Sequence, residues 1–377
     1  MRVYMRAFGP IAHADIELGD LTVLVGPQAT GKSIFLATFK LLHDAGFVAH
    51  RLKAFDLVWE DDVTRFLDLY FGEGLGGIWQ ENSTVSVNGK TISPESFLAS
   101  SEKKEHVFYI PAQRVLVLRD GLTRPFGEYR VEDPFVVRQF SDVLHQLVQA
   151  EFSRHNLLFP QPGRLKEAFR DLLDRYIFRG FTLQADRKWG PRRLVLVQGD
   201  GEARLPFMVW SAGQREFVPL LLGLYWLMPA GRVSRRKPVE WIIVEEPEMG
   251  LHPRAIHSVM MLLLELLRRG YRVLLSTHSL AVLDIVWALQ VFKRYQDEKA
   301  VLELGGWPNR AEYWELARSA LARTYRVFYF RPEGDVVDIS SLDPSDENIH
   351  VAGWGGLSEF SGYVADLVAK AIERHAA

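Results

Sequence analysis

The stretch Gly26-Pro27-Gln28-Ala29-Thr30-Gly31-Lys32-Ser33 constrains the fold more than any other part of this chain. It fits the spacing G-x-x-x-x-G-K-[ST]. Residues 21–25 (LTVLV) just before it are apolar and β-branched and read as a buried strand. Residues 34–42 just after it have the mass and spacing of a buried helix. A strand, a glycine loop and a helix in that order make a phosphate cradle. Loop amides and the positive helix end face the β- and γ-phosphates, Lys32 adds a charge, and the Ser33 hydroxyl can ligate Mg²⁺. Gly26 and Gly31 permit backbone angles and close approaches that a Cβ would block.

Composition narrows the rest. A chain of 377 residues has room for about two domains, or one large one with insertions. The absence of cysteine excludes structural disulfides, cysteine-ligated zinc and thiol catalysis. No apolar run reaches about 18 residues without charge, so no membrane span is expected. Residues 1–6 are too short and polar for a signal peptide, and a cytoplasmic location is the expectation. A formal charge of −2 gives no global pull toward nucleic acid, so any such site must be a local patch. The basic clusters are Lys188 with Arg192-Arg193, Arg232 with Arg235-Arg236-Lys237, and Arg268-Arg269. All three read first as solvated surface charge.

Along the chain, residues 1–25 alternate and turn at Gly9-Pro10, which predicts a strand pair leading into the phosphate-loop strand. Residues 46–105 carry a helical pattern (Val63, Phe66, Leu67, Leu69, Tyr70), a glycine-rich turn at 72–77, and a hairpin over 84–92 around Asn88-Gly89. Residues 134–152 and 165–178 predict two helices with broad apolar faces, together a small inserted helical lobe. Residues 182–209 alternate and read as strands, with turns at Gly190-Pro191 and Gly199-Asp200-Gly201. Near the end, residues 325–330 and 335–339 read as a strand pair, followed by a helix from about Glu359.

Four further places carry chemistry. A short buried strand over 106–110 ends in Pro111-Ala112-Gln113-Arg114, and polar residues at the carboxyl ends of strands in an open α/β sheet sit where ligands bind. Gln113 there can reach a metal ion or a water; alone, it reads first as a polar turn residue. Trp210-Ser211-Ala212-Gly213-Gln214 runs into an apolar helix. Ser211 and Gly213 are capping chemistry, and they also suit a phosphate at a helix N-terminus. Residues 241–244 form a buried strand with Glu245-Glu246 at its end, a costly placement unless the pair meets cations, donors or a metal. Beside a phosphate loop the natural partner is Mg²⁺, with Glu245 at the ion and Glu246 polarising the attacking water. A last buried strand over 271–275 ends in Ser276-Thr277-His278-Ser279, where His278 is a hydrogen-bonder or a catalytic residue.

In this joint order the residues resemble the ABC-type ATPase heads of the SMC, RecF and OLD branch, over residues 1 to about 290. Residues 26–33 look like the Walker A loop, Gln113 like the Q-loop residue and Ser211-Ala212-Gly213-Gln214 like the signature. Residues 241–246 look like Walker B, residues 248–253 like the D-loop and His278 like the switch histidine. Glu245 replaces the more usual aspartate; a Glu-Glu-Pro-Glu run followed by Leu-His-Pro is typical of OLD-like relatives. The resemblance implies an α/β P-loop NTPase of the ABC-head type, with a mixed, mainly parallel sheet, N-terminal antiparallel strands and the inserted helical lobe. The implied divisions are 1–125 (ATPase lobe with the phosphate loop), 126–180 (helical insertion), 181–290 (signature, Walker B and switch histidine) and 291–377 (strand pair and helix packed on the core).

By the same resemblance, ATP and Mg²⁺ are the ligands. Residues 26–33 with Ser211, Gly213 and Gln214 would hold the nucleotide. Ser33, Gln113 and Glu245 would hold the metal, and Glu246, His278, Gln113 and Lys32 would carry the chemistry. Two heads would meet head to tail, Ser211 of one copy closing on ATP at Lys32 of the other, in a homodimer or a higher assembly. OLD proteins carry a C-terminal TOPRIM nuclease; here Asp335, Asp338, Asp343 and Asp346 lack the glycine-linked glutamate that would accompany them and read as turn and surface acids. The SMC and RecF arms are missing too. A head without an effector implies an effector in another polypeptide, as in two-gene phage-defence or toxin–antitoxin pairs. The competing expectation is a repair or maintenance clamp whose dimer grips DNA, and a transporter head is disfavoured.

Overall fold

The protein is described by a computed structural model over residues 1–152, 156–186, 190–199, 203–229 and 235–376. In chain order, β1 (Arg2–Phe8) and β2 (Ile11–Glu17) form the expected hairpin and lead into β3 (Leu21–Val25) and α1 (Lys32–Lys53). Next come α2 (Val63–Phe71), β4 (Trp79–Val87), β5 (Lys90–Ile92), α3 (Ser96–Ala99) and β6 (Val107–Ile110). The Asn88-Gly89 turn between β4 and β5 has both residues at positive φ, the geometry that two-residue hairpins favour. A two-residue-strand hairpin, β7 (Leu118–Arg119) and β8 (Leu122–Thr123), precedes α4 (Phe135–Gln146), β9 (Leu157–Phe159) and α5 (Glu167–Leu173). Then follow β10 (Phe181–Asp186), β11 (Arg193–Gln198), β12 (Ala203–Pro206), α6 (Ala212–Leu227), β13 (Trp241–Glu245), α7 (Pro253–Arg268) and β14 (Arg272–Ser276). The remainder holds α8 (Leu280–Tyr295), α9 (Glu298–Gly305), α10 (Ala311–Leu321), β15 (Tyr325–Phe330), β16 (Val336–Asp338), α11 (Ile349–Ala352) and α12 (Glu359–Ala376).

Among the described residues the strands make three sheets. The central one runs β16-β15-β3-β14-β13-β6, parallel throughout except for the antiparallel edge strand β16. Every residue of β3 and β13 is buried, which is why both read as unbroken apolar runs: helices cover both faces of a parallel sheet. At about 1.5–3 kcal/mol for each fully buried large apolar side chain, these two strands are anchored by burial rather than by their edges. A four-stranded antiparallel sheet, β2-β1-β4-β5, flanks the start, and an antiparallel sheet of β7, β8, β11, β10 and β9, with β12 on β11, flanks the middle. The buried side chains join in one continuous core.

Several boundaries differ from the sequence reading. The helix expected over 134–152 is regular only to Gln146 and continues as a wider π turn over Leu147–Glu151; that over 165–178 begins at Glu167 and widens over Asp174–Phe178. Apolar periodicity runs on through such turns, so sequence does not mark them. Strand β15 was expected only to pair with β16. It also enters the central sheet beside β3, with Tyr325 level with Leu21 and Tyr329 level with Val25. The basic clusters are not simply solvated charge. Arg192 is fully buried, Arg236 pairs with Glu151 at 3.1 Å, and Arg268 and Arg269 converge on the buried Glu265 at 2.8 and 2.9 Å. Lys188, Arg232 and most of the Gly199-Asp200-Gly201 turn lie outside the described residues. No described helix is long and apolar enough to cross a membrane.

Candidate functional site

The site lies at the carboxyl ends of β3, β14, β13 and β6, where a parallel sheet presents its loops. The chain leaves β3 through Gly26, at φ 141°, where a Cβ would stand 2.3 Å from the Phe330 carbonyl oxygen. Only glycine fits there. Ala29 at φ 61° and Gly31 at φ 99° curl the loop back, and Gly31 opens α1 with no side-chain cap and no acid in the first turn. The positive end of a 22-residue helix is thus left to the loop's ligand. Thr30 donates to the Pro27 carbonyl at 2.9 Å, and Lys32 Nζ donates to the Gly26 and Pro27 carbonyls at 2.7 and 2.6 Å. Burial brings the Lys32 ammonium down to about 8, against the upward pull of Glu246 and Glu248.

A cavity of about 240 Å³ opens over this loop, walled by Gln28–Ile34, Pro10, Glu246 and His278. Beneath it Glu245, 3% exposed, accepts a hydrogen bond from the Ala112 amide at 3.1 Å, with the Ser33 and Tyr109 hydroxyls beside it; burial raises its carboxyl above the usual range. Hard oxygen donors side by side on Ser33 and Glu245 suit Mg²⁺, which takes one or two carboxylates and completes its shell with water and phosphate. Among the described residues no cluster of three or more His, Cys, Asp or Glu side chains offers an all-protein metal cage. Gln113 sits exposed on the turn after β6, one residue beyond the Ala112–Glu245 contact, and does not wall the cavity.

Glu246 leaves the strand at φ 42°, a left-handed conformation that costs a non-glycine residue about 1–3 kcal/mol. That turn aims its carboxylate at the loop, with Oε1 3.7 Å from His278 Nε2. Burial first, and Lys32 second, hold the His278 imidazole below its ordinary value, so it is neutral at neutral pH. Its backbone amide is pinned by Glu248 Oε1 at 2.6 Å, which also accepts from the Thr277 hydroxyl at 2.7 Å. The amide of Thr277 in turn reaches Leu24 at 3.0 Å, tying the β14 end to the phosphate-loop strand.

Ser211 caps α6. Its hydroxyl accepts from the Gln214 amide at 3.2 Å while the Gln214 side chain accepts from the Ser211 amide at 3.1 Å, a full capping box. As a cap the hydroxyl accepts, so its own hydrogen stays free to donate. Gly213 lets the turn at Gly250 approach; a Cβ there would meet the Gly250 carbonyl at 2.8 Å. This turn walls its own cavity of about 350 Å³ with Tyr176, Gly250, Leu251 and His252. Ser211, Gly213 and Gln214 therefore stand apart from the phosphate-loop cavity within one chain. Sequence pattern alone gives no role to Tyr109, Arg114 or Thr277, and gives Glu248 only a place in the D-loop. The third carboxylate of Glu-Glu-Pro-Glu and the arginine beside Gln113 were the visible signals.

Together the central parallel sheet, the glycine loop on α1 and the strand-end carboxylates make an α/β fold with a P-loop at the carboxyl edge of its sheet. Residues 127–284 match the family model described as "AAA domain, putative AbiEii toxin, Type IV TA system". That span holds Ser211, Glu245, Glu246 and His278 but not the phosphate loop. No curated protein matches the chain. Among solved structures it is similar to an SMC head bound to the C-winged helix domain of ScpA, at 11% identity over 89% of this chain and 96% of that one, with a TM-score of 0.44. It is also similar to the SMC head domain from Thermotoga maritima, at 13% identity over 89% and 97%, with a TM-score of 0.34. A third likeness is to the Smc head with an extended coiled coil bound to the C-terminal domain of ScpA from Pyrococcus furiosus, at 11% identity over 89% and 95%, with a TM-score of 0.38.

Proposed function

We propose that the chain is an ATP-hydrolysing head that pairs head to tail with a second copy on binding ATP, and that this pairing controls a separately encoded partner. The observation that carries the reading is the separation of two half-sites. The Lys32 cavity and the Ser211 cavity share no wall residue among those described, yet each lies at a helix N-terminus, that of α1 and that of α6, where a phosphate is favoured. Two chains in opposite orientation would complete both at once. The description of the matched family supports a toxin–antitoxin or related defence pair as the setting.

In this reading the loop amides, Lys32 and the α1 N-terminus bind the phosphates. Glu246 takes the proton of the attacking water, and neutral His278 beside it orients that water or the γ-phosphate by hydrogen bonding. Ser211 of the second copy donates its hydroxyl hydrogen to the γ-phosphate. A magnesium ion held by Ser33 and Glu245 would supply charge neutralisation on the phosphates when bound, and Gln113 would have to move in from the turn after β6 to reach it. Nucleotide that binds the closed pair better than the single head shifts the equilibrium by that difference in affinity.

The test is the mass of Glu246→Gln by light scattering with and without Mg–ATP. The monomer mass should double on ATP, and Lys32→Ala should stay monomeric in both conditions. A mass indifferent to ATP rejects the head-to-tail pairing, and hydrolysis by Glu246→Gln at the parental rate rejects Glu246 as the base.

A further inference from the structure

Arg114 is a fully buried guanidinium, and its hydrogen bonds go almost entirely to backbone carbonyls. Nη1 donates to the Glu245 carbonyl at 2.8 Å and more distantly to Pro111 at 3.4 Å. Nη2 donates to the Glu246 carbonyl at 2.8 Å and Nε to the Glu216 carbonyl at 3.2 Å. Its one ion pair is a loose contact, 3.9 Å from Nε to Glu216 Oε2, an oxygen that is itself buried without a hydrogen bond. Burying a cation without a hydrogen-bonded carboxylate is expensive. The planar fork does something an apolar residue does not. It grips two consecutive carbonyls, those of Glu245 and Glu246, while its third nitrogen grips the first turns of α6.

Three segments meet on this one side chain. The turn after β6 carries Gln113; the end of β13 carries Glu245 and Glu246; α6 is capped by Ser211, five positions before Glu216. The fork also holds the carbonyl of the residue whose φ is 42°, the turn that aims the Glu246 carboxylate at the phosphate-loop cavity. Any displacement of α6 by a body pressing on Ser211 therefore reaches Glu246 through two hydrogen bonds and no flexible linker.

We infer that Arg114 is a positioning residue that couples the Ser211 helix to the catalytic carboxylates, so that nucleotide binding and pairing of two heads act on one another. This rests on the ATPase reading above. Coupling is reciprocal: what pairing does for nucleotide affinity, nucleotide does for pairing.

The experiment compares Glu246→Gln with Glu246→Gln/Arg114→Met and Glu246→Gln/Arg114→Lys. The Kd for ATP is taken on dilute protein by calorimetry, and the dimer Kd with and without ATP by sedimentation. The single variant should show a large ATP-dependent drop in dimer Kd. Arg114→Met should bind ATP on the monomer within about threefold of it, with the ATP-dependent drop reduced by about tenfold or more. Arg114→Lys keeps the charge and the stem but not the fork, so it should show the same loss while folding as the parent does. A residue with a merely structural role would lower thermal stability and monomer ATP affinity together and leave the ratio of the dimer constants alone. An unchanged ratio in Arg114→Lys overturns the coupling and leaves the ATPase reading standing. A Glu246→Gln parent that binds ATP without pairing overturns the dimer reading and the coupling with it.

Discussion

Lys32 is a cation whose position in the loop is fixed before any phosphate arrives, by two carbonyls of the loop it serves. Burial holds it down to about 8, so above that pH the free protein carries a growing share of neutral amine. Triphosphate binding needs the ammonium and so must draw a proton in. The sign follows: log affinity for ATP should be flat between about pH 7 and 7.5 and fall above about pH 8, approaching tenfold per unit. Calorimetry near pH 8.5 in two buffers of different ionisation enthalpy should show net proton uptake by the complex, and none in Lys32→Arg, whose guanidinium does not titrate. Uptake that persists in Lys32→Arg would assign the proton to another group.

At the scale of elements, α1 and α6 both aim an N-terminus at a cavity but finish it differently: α1 is uncapped at Gly31, and α6 is closed by the Ser211–Gln214 box. The two roles of Ser211 separate by substitution. Ser211→Ala should lose about 0.5–2 kcal/mol of stability with the cap, whereas Ser211→Asp, an equally good cap, should keep the parental unfolding midpoint. Both should lose ATP-dependent pairing, the aspartate because it brings a carboxylate against a phosphate. Retained pairing in Ser211→Asp would leave the residue a cap and nothing more. What the sequence made legible at this scale is what is local. The glycine loop, β3, β13 with its carboxylates and the 211–214 turn are contiguous patterns whose spacing follows from backbone geometry. Arg114 was hidden because its partners lie 102 to 132 residues away for three of its four acceptors. Lys40 shows the same limit: its place in the run over 34–42 does not name its partners, Asp44 and, 65 residues on, Glu105, against which it is buried. The widened turns after Gln146 and Leu173 escaped because a π turn leaves the apolar pattern intact.

For the whole molecule, the sequence pattern of β15 announces a strand but not its neighbour, and the neighbour decides what the last part of the chain is for. Phe328 lies on β15, one strand in from the edge of the central sheet, and is 2% exposed; Phe328→Ala should cost about 3–5 kcal/mol in chemical denaturation. The helix α12 stands at the other extreme: Tyr363, Leu367, Val368 and Ile372 are 43–63% exposed, so removal of residues 359–377 should leave the denaturation midpoint within experimental error. A large loss on that truncation would mean that α12 is part of the folding unit after all. The pairing of β3 with β15 bears on how the protein is born. Asp20 and Thr324, which open these neighbouring strands, are 304 residues apart, and at about 5–20 residues per second a ribosome needs roughly 15–60 s to cover that distance. During that interval one edge of β3 has no strand to pair with, and Gly26 lacks the Phe330 carbonyl against which its loop is folded. The fold of the phosphate loop is therefore finished only when the late strand closes the sheet.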